Sequence, residues 1–342
     1  MSGDEQSLVY RWDLDKTYLR TEFDTLRDLL RTALENARQK TTVPGAAALL
    51  RELRATRPAG IFILSGSPEQ MRRVLEAKLR LDGIQWDTFM LKPSLRNLLR
   101  GRLRFVRDQL GYKLGALLES RATILPHVDE VLFGDDAEAD AFIYSLYADI
   151  VAGRVGSDTL LAVLERARVY PDDIPELVLR ASRLPHRDAC RRIFIHLDRV
   201  SAPEGFDELG RRLCPFYNYL QPALVLLEED LLSGAGTLRV AAELVIQQAF
   251  TADALAASYQ DLARRQHIGR RAVELLREAL DSAEPSAFAA TETVLRAFCD
   301  EVASTDLPAR SVPPESPAID YVALFSRDRA RARAARQRAR SR

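Results

Sequence analysis

Three short apolar runs in the first part of the chain each break off into polar residues, and this pattern constrains the fold more than any other feature. Leu8-Val9-Tyr10-Arg11-Trp12 gives way to Asp13-Leu14-Asp15-Lys16-Thr17. Gly60-Ile61-Phe62-Ile63-Leu64 gives way to Ser65-Gly66-Ser67-Pro68, and Val131-Leu132-Phe133 to Gly134-Asp135-Asp136. A continuous apolar run marks a strand buried on both faces, as in a parallel sheet. Between the runs the spacing is helical: Leu26, Leu29, Leu30, Ala33 and Leu34; then Ala46 to Leu53 after Val43-Pro44-Gly45; then Glu69 to about Leu81 after Pro68. Strand alternating with helix predicts an α/β fold on a doubly wound parallel sheet.

Further elements follow the same pattern. A short strand is expected at 88–91, helices around 95–110 and 114–125, a helix over 138–152, and a strand from Arg192 to Leu197 as the last of the sheet. Helical stretches at 158–168 and 174–183 then make roughly 156–190 a helical insertion. An apolar helix from Phe216 to Leu232 packs back on the sheet, and the Ser233-Gly234-Ala235-Gly236 break closes a core domain of residues 1–235. Residues 236–306 read as a helical C-terminal region. Pro308, Pro313, Pro314 and Pro317 begin a linker, and 307–342 ends in an Arg-rich tail expected to be disordered.

At 342 residues, 47% hydrophobic and 29% charged, the chain has the composition of a soluble globular protein. Its formal net charge is zero, so overall charge names no partner. The last sixteen residues differ, holding eight Arg against one Asp, which makes the tail a candidate for contact with an anionic membrane surface or nucleic acid. Cys190, Cys214 and Cys299 fit neither a disulfide framework nor a zinc spacing, so a reducing cytoplasm is expected. Met1 to Ser7 is polar and acidic, and no window is apolar enough to span a bilayer. Neither an export signal nor a transmembrane segment is expected.

The strand ends carry the parts that phosphoryl transfer through an aspartyl-phosphate requires. Asp13 and Asp15, two apart, provide a nucleophile and a second acid for general acid and base work, with Thr17 beside them. This motif alone is common by chance and reads equally as two solvated acids in a turn. Ser65 and the Gly66 amide can hold a phosphoryl oxygen, although a serine there also serves as a helix N-cap. Asp135, with Asp140 or Asp136, adds carboxylates next to Asp13, an oxygen-rich set suited to Mg2+. Asp13 and Asp135 would bind through side-chain oxygens and Asp15 through its backbone carbonyl. Lys113, expected to open the helix before the third run, can neutralise charge at Asp13 and is preferred to Lys92, which lies too far before Asp135.

Taken together, Asp13-Leu-Asp-Lys-Thr17, Ile63-Leu-Ser-Gly-Ser-Pro68, Lys113 and Gly134-Asp-Asp-Ala-Glu-Ala-Asp140 through Ile143-Tyr144 resemble the four motifs of the haloacid dehalogenase superfamily. The Ser-x-Ser-Pro form and the Gly-Asp-x4-Asp-x-x-Ile-Tyr ending are similar to the phosphatidate phosphatase catalytic domain of the actin-patch family. This resemblance covers about residues 8–200. It implies a Rossmann-like core, Mg2+ as cofactor, Asp13 as nucleophile, Asp15 as acid/base, Ser65 as phosphoryl ligand, Lys113 as charge neutraliser, and Asp135 and Asp140 as metal-side acids. Two positions depart from the family pattern: Lys16 stands where a further acid is usual, and Asp136 where a Ser is usual.

About fifty residues separate the first two motifs, too few for a large lid, so an open site is expected. Such a site favours a bulky phosphomonoester such as a phosphatidate-like lipid. A nucleic-acid end phosphatase, or a binding scaffold that keeps the fold without the chemistry, are the alternatives.

Overall fold

The computed structural model describes residues 8–15, 17–19, 42–92, 105–137, 139–198, 201–284, 286–307 and 318–326, with backbone alone for 105–108. Six strands form one parallel sheet: β1 (Leu8–Asp13), β2 (Gly60–Pro68), β3 (Thr88–Lys92), β4 (Asp129–Asp135), β5 (Cys190–His196) and β6 (Leu213–Phe216). Their order is β3-β2-β1-β4-β5-β6. Strand order therefore reverses between β1 and β4, and the crevice beyond the carboxyl ends of those two strands is where open α/β sheets bind ligands.

Helices cover both faces. On one lie α1 (Ala46–Ala55), α2 (Arg72–Leu81, after a 3-10 turn at Glu69–Met71) and, farther along the chain, α7 (Leu220–Glu228) and the helices that follow it up to Ser304. On the other lie α3 (Phe105–Arg121), α4 (Asp140–Val151), α5 (Ser157–Ala167) and α6 (Ile174–Arg183). β1 alternates accordingly: Leu8, Tyr10 and Trp12 enter the first layer. The Trp12 ring stacks on Phe133 at 3.9 Å and on Tyr219 at 5.5 Å, and Phe133 stacks on Phe194 at 5.0 Å. A rigid aromatic row thus underlies the strand ends that carry Asp13 and Asp135.

The C-terminal helices α8 (Gly234–Gln248), α9 (Ala252–Arg264), α10 (Arg270–Asp281) and α11 (Glu292–Ser304) share this first core. Leu244, Leu255, Tyr259, Leu276 and Phe298 belong to one apolar cluster with Trp12, Ile63 and Phe216 of the sheet.

Several expectations need correction. β5 is not the last strand: Leu213-Cys214-Pro215-Phe216 forms β6 outside it, a run that Pro215 disguises because proline is tolerated only at a sheet edge. The expected apolar helix begins at Leu220, after β6. The break expected between helices near 110–114 is absent: one helix spans Phe105–Arg121, so Lys113 lies at mid-helix rather than at a start, while 95–104 lie outside the described residues. The predicted helix around Leu26 to Leu34, and Lys16, lie outside the described residues.

In the 307–342 stretch, expected to be linker and disordered tail, residues 321–326 are helical and packed on α4. The Tyr321 ring meets Phe142 at 5.6 Å and its hydroxyl donates to Asp149 at 2.6 Å. Phe325 also meets Phe142, at 5.7 Å, and the Arg166 guanidinium donates to the Ser326 hydroxyl at 2.9 Å. Two aromatics one helical turn apart supply the apolar face that a low-complexity reading of this region overlooks. Most of the Arg-rich tail lies outside the described residues.

Candidate active site

Parallel register sets the site. Trp12 pairs with Phe133 and Asp13 with Leu64, so Asp13 ends its strand beside Gly134 on one side and just short of Ser65 on the other. After Asp13 the chain turns sharply. The Leu14 amide donates to Leu64 O at 2.9 Å, and the Thr17 amide to Asp15 O at 2.7 Å. Tyr219 on the far side donates its hydroxyl to Thr17 O, tying this turn to the core.

Asp13, Lys113, Asp135 and Asp140 are fully buried together. The Lys113 ammonium lies 2.9 Å from Asp13 Oδ1 and 2.5 Å from Asp140 Oδ1. Thr17 donates its hydroxyl to Asp13 Oδ2 at 3.3 Å. Oxygens of Asp13, Asp135 and Asp140 all lie within 4.8 Å of one another. The Asp135 amide donates to Asp140 Oδ2 at 3.3 Å and the Ala137 amide to Asp135 Oδ1 at 2.6 Å, which orients both carboxylates. Asp140 opens α4, where its negative charge also faces the positive end of the helix.

This packing depends on Gly134. A Cβ there would come within 2.6 Å of Asp140 Oδ2 and 2.7 Å of Tyr144 Cε2, so α4 approaches β4 this closely only over a glycine. Three buried carboxylates facing one ammonium repel one another unless a further cation joins them. Hard oxygen donors grouped at the end of a sheet fit a divalent cation of the Mg2+ kind.

Asp15 stands apart from that cluster. The Ser65 hydroxyl donates to Asp15 Oδ2 at 2.8 Å, and the Ser67 hydroxyl lies 3.2 Å from both Asp15 oxygens. The Ser67 amide in turn donates to Ser65 Oγ at 3.0 Å. A bulge in β2 between Ser65 and Pro68 makes this loop possible. Asp15 and Gly66 are half-buried, whereas Asp13, Ser65, Thr17 and Lys113 are buried.

Asp13, Asp15, Thr17, Ser65, Gly66, Lys113, Asp135 and Asp140 thus come to one sheet edge. Asp136 turns elsewhere, accepting from the Ser201 amide at 3.3 Å. Lys92 ends the edge strand β3, two strands from Asp13. Sequence reading missed Ser67 and Tyr219. Ser67 was legible from the second Ser of the loop; nothing in the sequence points to Tyr219, which lies 202 residues from the carbonyl it binds.

The Tyr219 hydroxyl is held well above its usual pKa by burial and then by Asp13 and Asp135, so it stays a proton donor. No curated protein and no solved structure gives a significant match to the chain. Residues 12–157, which carry Asp13, Asp15, Ser65, Lys113, Asp135 and Asp140, match the family described as the phosphatidate phosphatase APP1 catalytic domain, the family that its motifs resemble.

Proposed function

We propose that this protein is a Mg2+-dependent phosphohydrolase of the haloacid dehalogenase type, acting on a phosphatidate-like lipid or another bulky phosphomonoester. The observation that carries this reading is the Lys113 ammonium bridging Asp13 and Asp140 within a cluster of three buried carboxylates, beside a separately held Asp15. A pure scaffold would have no use for burying such mutually repelling charges.

Asp13 is the nucleophile: one carboxylate oxygen attacks phosphorus while the bond from phosphorus to the alcohol oxygen breaks. Asp15, steadied by Ser65 and Ser67, gives its proton to the departing alcohol. It then takes a proton from water, which attacks the aspartyl-phosphate, freeing inorganic phosphate and restoring Asp13. Lys113 stabilises charge on the nucleophile and on the phosphoryl oxygens. Asp13, Asp135, Asp140 and the Asp15 carbonyl would hold Mg2+, which supplies charge neutralisation of the phosphoryl group when bound.

The Arg-rich tail belongs to this reading as a contact with an anionic lipid surface. Its support is compositional, eight Arg in sixteen residues, and the tail follows a helix that Tyr321 and Phe325 anchor on Phe142 of α4. Three free, buried cysteines suit a reducing compartment such as the cytoplasm. Among the described residues no helix is long and apolar enough to cross a membrane.

The test is p-nitrophenyl phosphate hydrolysis with and without Mg2+, followed by a panel of phosphatidate, phosphopeptides, sugar phosphates and oligonucleotide ends. Release should need Mg2+ and fall at least about a thousandfold in Asp13→Asn, the order expected for loss of a nucleophile. Activity that survives this substitution would refute the assignment, and preference for oligonucleotide ends would favour the nucleic-acid alternative.

A further inference from the structure

The two loop serines raise a chemical difficulty. Ser65 directs its hydroxyl to Asp15 and accepts from the Ser67 amide, and the Ser67 hydroxyl also lies on Asp15. Both hydroxyls are thus engaged by Asp15 in this arrangement. A dianionic phosphoryl group offers acceptors on every side, and Lys113 with a cation satisfies only some of them.

The nearest further polar groups come from α3. Gln109 is 9% exposed, and its carboxamide lies over Gly66: a Cβ on that glycine would meet Gln109 Nε2 at 3.1 Å and Oε1 at 3.5 Å. Its Oε1 is buried without a hydrogen-bond partner, and so is the hydroxyl of Tyr112. Buried polar atoms left unpaired are costly and uncommon, and two of them one turn apart beside a reactive cluster indicate a ligand that pairs them.

Gln109 lies four residues before Lys113 and Tyr112 lies one before it, so Gln109 shares the helix face that presents Lys113 to Asp13. The Tyr112 hydroxyl senses the charges of Lys113, Asp13 and Asp15 and is raised by burial above its usual pKa, so it remains a donor. A carboxamide presents N–H or C=O by a half-turn about its last bond, so the buried end of Gln109 can supply a donor as readily as an acceptor.

We propose that Gln109 is a substrate-binding residue whose carboxamide donates to a phosphoryl oxygen seated over Gly66, with the Tyr112 hydroxyl as a second donor to the same phosphate group. This rests on the phosphohydrolase reading and adds a phosphate contact to those expected of Ser65 and Lys113. The glycine at position 66 lets the carboxamide approach the loop this closely, since a Cβ there would meet Nε2 at 3.1 Å.

The experiment is inhibition by inorganic phosphate, with Mg2+ present, of the wild type, Gln109→Ala, the isosteric Gln109→Glu, and Tyr112→Phe. Thermal melting is measured on each. Loss of a hydrogen bond to a charged group predicts that KM and the phosphate inhibition constant rise together by about ten- to a hundredfold in both Gln109 variants. Glu should be the worse of the two because it repels the anion, and Tyr112→Phe should show a smaller rise.

A merely structural Gln109 would lower the melting temperature and leave phosphate affinity alone. Phosphate constants within twofold of wild type in both Gln109 variants, with wild-type activity still dependent on Asp13, would overturn this proposal and spare the enzyme reading. A wild type without phosphatase activity would remove both.

Discussion

At Gly134, as at few other residues, a single added methyl group would reach the proposed chemistry. The Asp140 carboxylate and the Tyr144 ring both lie within 2.7 Å of where a Cβ would stand. Replacement by alanine therefore pushes the start of α4 outward. We expect Gly134→Ala to lose about 1–3 kcal/mol of stability by overpacking, and to lose Mg2+ affinity as well, because Asp140 moves relative to Asp13 and Asp135. Melting temperature and metal titration check the two effects, and a variant unchanged in both would show that α4 shifts without consequence. Ser67 shows how such a residue escapes notice: it reads as part of a loop until the β2 bulge turns its hydroxyl onto Asp15.

Among the elements, β1 and β4 are joined by a buried ionic group at the end of the sheet away from the site. Arg11 of β1 donates to Glu130 of β4 at 2.7 Å, Tyr147 of α4 donates to the same carboxylate at 2.6 Å, and Arg121 lies 3.4 Å from it. Burial works against ionising Glu130, yet Arg11 first, and then Arg121 and Tyr147, outweigh it and hold the carboxyl below its usual pKa. A carboxyl depressed by folding adds stability above the unfolded value of about 4.3 and loses it as pH falls through the lower folded value.

Glu130→Gln leaves two buried guanidinium groups without their counter-charge. It should cost about 3–5 kcal/mol at neutral pH, and the gap from wild type should be narrower at pH 3, below the unfolded value of about 4.3, because there the unfolded chain takes up the proton more readily than the native carboxyl. Urea midpoints at both pH values check this, and an equal gap at both would separate the stability of the group from its charge.

For the whole molecule, the helix at 321–326 anchors to α4 the point from which a strongly basic tail continues. Each Arg near an anionic surface contributes about 1 kcal/mol, so eight in sixteen residues suffice for peripheral attachment if the tail meets lipid. A chain ending at Ser326 should sediment less with vesicles containing phosphatidate than the full chain does, most clearly at low salt, while hydrolysis of p-nitrophenyl phosphate stays unchanged. Equal sedimentation of the two would remove the membrane role from the tail and leave the catalytic reading untouched.

By itself the sequence determined the alternation of strand and helix, and with it the sheet edge to which Asp13, Ser65 and Asp135 are delivered. Buried parallel strands must be apolar throughout, and the residues that follow them have to emerge at the same edge. Lys113 and Asp140 were identifiable as candidates because their spacing from β4 carries a family pattern. Only the tertiary structure decided that Lys113 reaches Asp13 from mid-helix, that Ser65 and Ser67 both bind Asp15, that β6 lies beyond β5, and that Tyr219 and Gln109 border the site. These are contacts between segments far apart in the chain or directions of single side chains, and neither leaves a period or a spacing in the sequence to be read.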